Sequence, residues 1–124
     1  MREIKFLAFD KSTGKVAEVI EYRPNNGSVW LAGYDYELSY GDYNLMQFTG
    51  LHDKNEKEIY EGFVLKIPKL IDRGFGDGLD DYVTNVTFED GSFMASDYLR
   101  MVNDDCEVIG NIYENPELLE NEQS

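Results

Sequence analysis

The chain has 124 residues and 42% hydrophobic content, and its nine tyrosines, seven phenylalanines and one tryptophan supply the apolar bulk for one core of ordinary size. The opening residues hold no apolar run of signal-peptide length and nothing approaches the roughly eighteen apolar residues of a membrane span, which predicts a soluble, cytoplasmic protein without a membrane partner. The formal charge of −14 is unevenly placed: residues 1–70 carry nine Lys/Arg against eleven Asp/Glu, residues 71–124 two against fourteen, a balance that repels phosphate and suits a basic partner or simple solubility.

In chain order, EIKFLAF (3–9) and VAEVIEY (16–22) are rich in β-branched and aromatic residues and flank KSTGK, where Gly14 can supply the positive φ of a turn. They predict a β-hairpin. Pro24, Asn25, Asn26 and Gly27 interrupt the chain before a short strand within SVWLAGY (28–34). DYELSYGDYN (35–44) has no clean periodicity and is assigned to a loop or sheet edge. In EIYEGFVLKI (58–67), Ile59, Phe63, Leu65 and Ile67 fall on one parity, as in a strand. The preceding HDKNEKE closes a turn, with Asp53 and Asn55 suited to bonding their own backbone. DRGFGDGLDD (72–81), with Gly74, Gly76 and Gly78, reads as a mobile loop.

YVTNVTFEDGSFMA (82–95) contains Asp90-Gly91 between alternating hydrophobics, the strongest hairpin signal in the chain. SDYLRMVN (96–103) is expected to make one or two helical turns with Ser96 as N-cap, and CEVIGNIY (106–113) a last strand. Asn115 is expected to cap a short terminal helix with Pro116 at its first position. Six to eight short strands and little helix predict a single domain over residues 1–124. The class is mainly β, all-β with minor helix: a small β-barrel or sandwich of short antiparallel strands with a short C-terminal helix.

REIKFLAFD (2–10), LMQFTGLHDKNEKEIYEG (45–62), VTFEDGSF (86–93) and CEVIGNIYENPELL (106–119) together resemble the YopX family of phage and prophage proteins almost end to end. The resemblance implies a predominantly β fold and a phage or prophage source, and brings no catalytic residues with it. The chain departs from the family pattern at Phe9, near a usual tryptophan, and at Leu7, near a usual arginine. Glu56 stands where a turn glycine is usual, and Phe63-Val64-Leu65 replaces Asp-Ile-Val after Gly62. A glutamate at positive φ costs about 1 kcal/mol, so the turn is expected to take another shape or to put Asn55 in that conformation. Phe63 in place of aspartate also removes a carboxylate, which lowers the case for a metal or catalytic role there.

Gln47, Thr49, His52, Asp53, Glu58, Tyr60 and Glu61 lie close in sequence, and a histidine beside an aspartate is raw material for a general base. His52 and Asp53 adjoin at a turn, however, where their side chains are expected to point apart and stay wet. No G-x-S-x-G, Walker or H-E-x-x-H pattern is present. GFGDG (74–78) lacks the Lys-Ser/Thr of a P-loop, and Asp72, Asp77, Asp80 and Asp81 around it lack the spacing of a calcium loop. One cysteine, Cys106, and one histidine, His52, make neither a disulfide nor a zinc set, and Cys106 reads as an inert, partly buried thiol. No catalytic residue, metal or cofactor is expected, and the chain is predicted not to be an enzyme.

Tyr34, Tyr36, Tyr40 and Tyr43, with no Lys or Arg among them, read either as a protein interface or as half-buried packing. With Asp97, Asp104, Asp105 and Glu107 they make up the candidate interaction surface. Three functions are open. The favoured one is a non-enzymatic protein–protein interaction module that self-associates as a homo-oligomer or meets a basic host protein. An acidic DNA mimic would use Asp97, Asp104, Asp105, Glu107, Glu114 and Glu117 as a row of charge. A small barrel binding nucleic acid or a small ligand would use Lys54, Lys57, Lys66, Lys69 and Arg73 beside Tyr60 and Phe63.

Overall fold

Short runs of β-branched and aromatic residues, punctuated by Gly, Asn and Asp, fold into short strands joined by tight turns. The computed structural model describes residues 5–68, 81–95 and 98–122, and among them are eleven strands and two short helices. The chain is thus mainly β with minor helix, its sheets are antiparallel, and no barrel closes among the described residues. It forms two compact units, Met1–Phe48 and Thr49–Ser124. The glycine loop expected over 72–81 lies outside the described residues except for Asp81.

In the first unit, β1 (Phe6–Asp10) and β2 (Lys15–Arg23) make the expected hairpin, with Ala8 opposite Ala17 and Gly14 at φ 73°. β3 (Ser28–Leu31), β4 (Glu37–Leu38) and the first part of β5 (Tyr43–His52) extend it in the order β4-β3-β2-β1-β5. The segment 35–44, expected as a loop or sheet edge, supplies the two-residue edge strand β4 and the first two residues of β5, and an edge of two residues leaves little to pair with another chain. Ala8, Val29, Leu31 and Leu38 are buried on one face, with Ala17, Val19, Tyr34, Tyr43 and Leu45 packed against them. The β2–β3 register shifts between Val19 and Glu21, so that Val19 faces Leu31 while Tyr22 faces Val29. An extra residue in a period-two strand reverses the side chains beyond it. Tyr22 is thereby turned to the same side as Val19, where regular alternation would have sent it to the side of Glu18.

In the second unit, the end of β5 neighbours β6 (Glu58–Tyr60), and the Thr49 hydroxyl donates to the Ile59 carbonyl at 2.7 Å. The run 58–67 is divided at Gly62, which has φ 90°, into β6 and β7 (Phe63–Ile67); this division, a second break at Val86 within the run 82–89, and β4 raise the strand number above the six to eight expected. β7 is the middle of a three-stranded antiparallel sheet between β8 (Tyr82–Asn85) and β11 (Glu107–Asn111). Its buried Phe63, Val64, Leu65 and Ile67 fit a strand covered on both faces. β9 (Thr87–Glu89) and β10 (Ser92–Met94) form the Asp-Gly hairpin, and positive φ at both Asp90 (51°) and Gly91 (81°) gives the type I′ geometry that matches strand twist.

The helices follow the expected positions with different caps. α1 is the single turn Leu99–Val102, and its N-cap is Tyr98, with no side-chain cap bond; Ser96 and Asp97 lie outside the described residues. α2 spans Glu117–Glu122. The Asn115 side chain does not cap it but turns back to accept from the Asn111 N–H at 3.2 Å, while its backbone carbonyl accepts from the Leu118 N–H. A Cβ on Gly110 would sit 2.5 Å from Asn115 Oδ1 and 2.9 Å from Leu118 Cδ1, so the glycine is what lets the C-terminal segment fold onto β11.

Glu56 itself takes the left-handed conformation, at φ 66°, contrary to the expectation that Asn55 or another turn shape would avoid it. The Asn55 and Lys57 N–H groups are both bound to Asp53 Oδ1, which leaves Glu56 as the residue that must turn. Glu56→Gly is expected to raise stability by about 1 kcal/mol, seen as a higher urea midpoint at unchanged m-value. An unchanged or lower midpoint would show that the turn carries no such strain.

Candidate interaction surface

The tyrosine surface of the first unit rests on a buried carboxylate. Asp10, at the end of β1, accepts from the Ser12 N–H (3.0 Å) and hydroxyl (2.9 Å) through Oδ1, and from the Thr13 (2.9 Å) and Tyr34 (2.7 Å) hydroxyls through Oδ2. Led by the Tyr34 bond, these donors outweigh the desolvation of burial and hold its pKa at about 2. Tyr34 is therefore fixed by its own hydroxyl and half-buried, with Tyr36 tilted against it at 5.3 Å between ring centres.

A second anchor forms where the chain turns into β3. Gly27 has φ 73° and its carbonyl accepts from the Tyr43 hydroxyl. A Cβ at this position would lie 3.0 Å from the Cβ and Cδ2 of Tyr40, so the Tyr40 side chain passes directly over Gly27. Of the four predicted tyrosines, Tyr34 and Tyr43 pack against the core while Tyr36 and Tyr40 are exposed, at 48% and 80%. The half-buried packing reading thus describes Tyr34 and Tyr43, while Tyr36 and Tyr40 stand open to solvent.

Folding adds two residues that the local sequence did not point to. Tyr22, carried to this side by the bulge in β2, lines a shallow concavity of about 380 Å³ with Lys11, Tyr40, Gly41, Tyr43, Asn44 and Leu45. Lys11 also lines a second concavity of about 420 Å³, with Ser12, Tyr36, Glu37, Leu38, Ser39 and Asp42. A cation therefore does stand among the tyrosines, although its ammonium is engaged, donating to the Gly41 carbonyl at 2.9 Å. Arg23 is engaged as well, with Glu21 at 3.1 Å and Glu37 at 3.2 Å.

The central motif of the second unit is a structural tie. Asp53 is only 4% exposed, which corrects the expectation that it stays wet; its Oδ1 accepts from the Asn55 and Lys57 N–H groups and its Oδ2 from the Val108 N–H, each at 2.9 Å. Burial raises its pKa, but the three backbone bonds and the Lys57 charge outweigh burial and leave it below the ordinary carboxylate value. With the Lys54 N–H donating to the Cys106 carbonyl, the turn also fastens β11 at its start. His52 is exposed, and its carbonyl accepts from the Asn103 side chain at 2.7 Å. Cys106 is fully buried, donates to the Asn103 carbonyl, and is pushed up to about 12, first by burial and then by the Asp53 charge. A thiol held protonated in this way is a poor nucleophile.

The acidic candidates are unequally presented. Asp104 and Asp105 are exposed in the turn after α1, Glu107 is half-buried on β11, and Asp97 lies outside the described residues. Glu114 is occupied as acceptor from the Asn111 side chain at 2.7 Å. Of the proposed basic strip, Lys69 and Arg73 are outside the described residues, and Lys66 stands 3.7 Å from Asp81. Tyr60 and Phe63 are buried against each other with ring centres 5.4 Å apart, so neither offers a face on which a base could stack. Among the described residues no group of three or more His, Cys, Asp or Glu is placed to hold a metal ion, and no helix is long and apolar enough to cross a membrane.

Among solved structures, the chain is similar to the crystal structure of protein EF1440 from Enterococcus faecalis, with a TM-score of 0.65 and 25% sequence identity over 96% of this chain and 99% of that one. No curated protein matches. The pattern that describes the YopX protein family matches residues 5–120, nearly the whole chain, and by that match the chain belongs to the YopX family.

Proposed function

We propose that this protein is a phage- or prophage-encoded accessory protein that works without catalysis, by protein contact through the tyrosine-bearing face of its first unit, and that it self-associates through that face. The observation that carries this reading is Tyr40, which is 80% exposed and yet seated on Gly27. Tyrosine gives a large amphipathic contact area for two side-chain torsions, and an aromatic ring held in place before binding loses little freedom on contact. Tyr22 and Tyr43 widen the same patch, and the shallow concavity beside them offers a partner's side chain a seat.

Sedimentation velocity across micromolar to millimolar protein tests this. A concentration-dependent assembly is expected, strengthened in high salt because each copy carries −14, and weakened at least tenfold in Tyr40→Ala. A monomer at every concentration would overturn self-association, and unchanged assembly of Tyr40→Ala would overturn the choice of face.

A further inference from the structure

The turn that seats Tyr40 also holds a reactive peptide bond. Asn26-Gly27 is the only Asn-Gly pair in the chain, and it lies in the connection between β2 and β3, with Asn26 exposed and Gly27 buried. In such a pair the glycine nitrogen can attack the asparagine side-chain carbonyl, because no Cβ on the following residue stands in the way. The N–Cγ bond forms, the Cγ–NH2 bond breaks and ammonia leaves, giving a succinimide. Water opens that ring at either carbonyl, to aspartate or to isoaspartate, in which the backbone runs through the former side-chain methylene.

Both reacting groups are engaged in the folded turn. The Gly27 N–H donates to the Arg23 carbonyl at 2.7 Å, and Asn26 Oδ1 accepts from the Ser28 N–H at 3.0 Å and hydroxyl at 2.9 Å. Attack requires these bonds to open, so the reaction draws on the fraction of molecules in which the turn is open. What the product disturbs is equally local. The Gly27 carbonyl accepts from the Tyr43 hydroxyl, and the Cβ and Cδ2 of Tyr40 lie 3.0 Å from where a Gly27 Cβ would stand. Isoaspartate adds a backbone atom just before that contact and moves the acceptor of Ser28 into the backbone, whereas aspartate leaves both as they are. We propose that Asn26-Gly27 is a site of covalent modification, deamidating through a succinimide that the folded turn holds back, and that its isoaspartate product unseats Tyr40 and Tyr43. With this face as the contact surface, the isoaspartate form assembles more weakly; that consequence alone rests on the proposed function.

Intact-mass and peptide-map measurements on the full chain, aged in mildly alkaline buffer either folded or unfolded in guanidinium chloride, test this. One deamidation is expected, at Asn26 with the neighbouring Asn25 intact, about tenfold slower in the folded chain. Ser28→Ala, which removes one of the two bonds to Asn26 Oδ1, is expected to react about fivefold faster than the folded parent. In the chromatographically separated isoaspartate form the NMR signals of Gly27, Tyr40 and Tyr43 are expected to shift, whereas Asn26→Asp keeps the two tyrosine signals close to the parent's. Equal rates in the folded and unfolded chain, an unchanged rate in Ser28→Ala, or first loss of ammonia at another asparagine would each overturn the inference. So would a folded chain without Asn26 product long after the unfolded chain has reacted, or unshifted tyrosine signals in the isoaspartate form. None of these readouts depends on assembly, so a parent that stays monomeric removes the contact reading and leaves this inference intact.

Discussion

Replacing Asp53 with alanine is expected to cost about 4 kcal/mol and to lower the melting temperature by about 15 °C. The carboxylate is buried and is the acceptor for three backbone N–H groups, of Asn55, Lys57 and Val108. Alanine strands those donors, and a stranded buried donor costs more than an ordinary hydrogen bond gains. The loss is comparable with the whole stability of many small proteins. Asp53→Asn separates the two jobs of the side chain: its carbonyl oxygen keeps the turn bonds, whereas its NH2 faces the Val108 N–H. Hydrogen exchange in that variant is expected to quicken at Val108 and stay slow at Lys57. Thermal unfolding and exchange spectra check both results, and a variant that melts like the parent would show that the turn does not fasten β11.

Asp10→Ala is expected to cost about 3 kcal/mol, because Ser12, Thr13 and Tyr34 lose their shared acceptor. This site also carries a pH signature. Its pKa falls from an ordinary 3.8 to about 2 on folding, led by the Tyr34 bond. A depressed carboxylate contributes stability that is complete above the unfolded pKa and is lost as pH falls through the folded one, so this contribution disappears between about pH 4 and pH 2. Urea midpoints measured across that window should fall less steeply for Asp10→Asn than for the parent, with the remaining slope due in part to Asp53, whose pKa is also lowered. In Tyr34→Phe, the acid transition should begin at higher pH because the largest stabilising bond is gone. Identical slopes in all three proteins would remove Asp10 from the account.

Both carboxylates show what the sequence discloses and what it hides. D-K-S-T at 10–13 and D-K-N-E at 53–56 are turn chemistry legible from local propensity, and each aspartate does bond the N–H two residues on. The bonds that make them anchors are distant: Tyr34 is 24 residues from Asp10, and Val108 is 55 from Asp53. No local pattern carries that information, which is why Asp53 reads as wet when it is buried. The same limit applies to the tyrosine surface. Tyr36 and Tyr40 are visible as an aromatic cluster, but Tyr22 joins them only because β2 has a bulge, and Lys11 only because its hairpin loop folds beside Asp42. The Asp90-Gly91 hairpin and the all-β class were readable because alternation and turn residues act over a few positions. The side-chain cap expected at Asn115 is absent because its Oδ1 is taken by the Asn111 N–H, four residues back in the turn before the helix.

Hydroxyl-radical footprinting of the protein at dilute and assembling concentrations tests the central claim, that the tyrosine face of the first unit is where the protein makes contact. Tyr22 and Tyr40 are expected to lose reactivity on assembly while Phe88 and Met101, both about half-exposed in the second unit, keep theirs. Protection confined to Phe88, Tyr98 and Met101, with Tyr40 as reactive in the assembly as in the dilute protein, would contradict it.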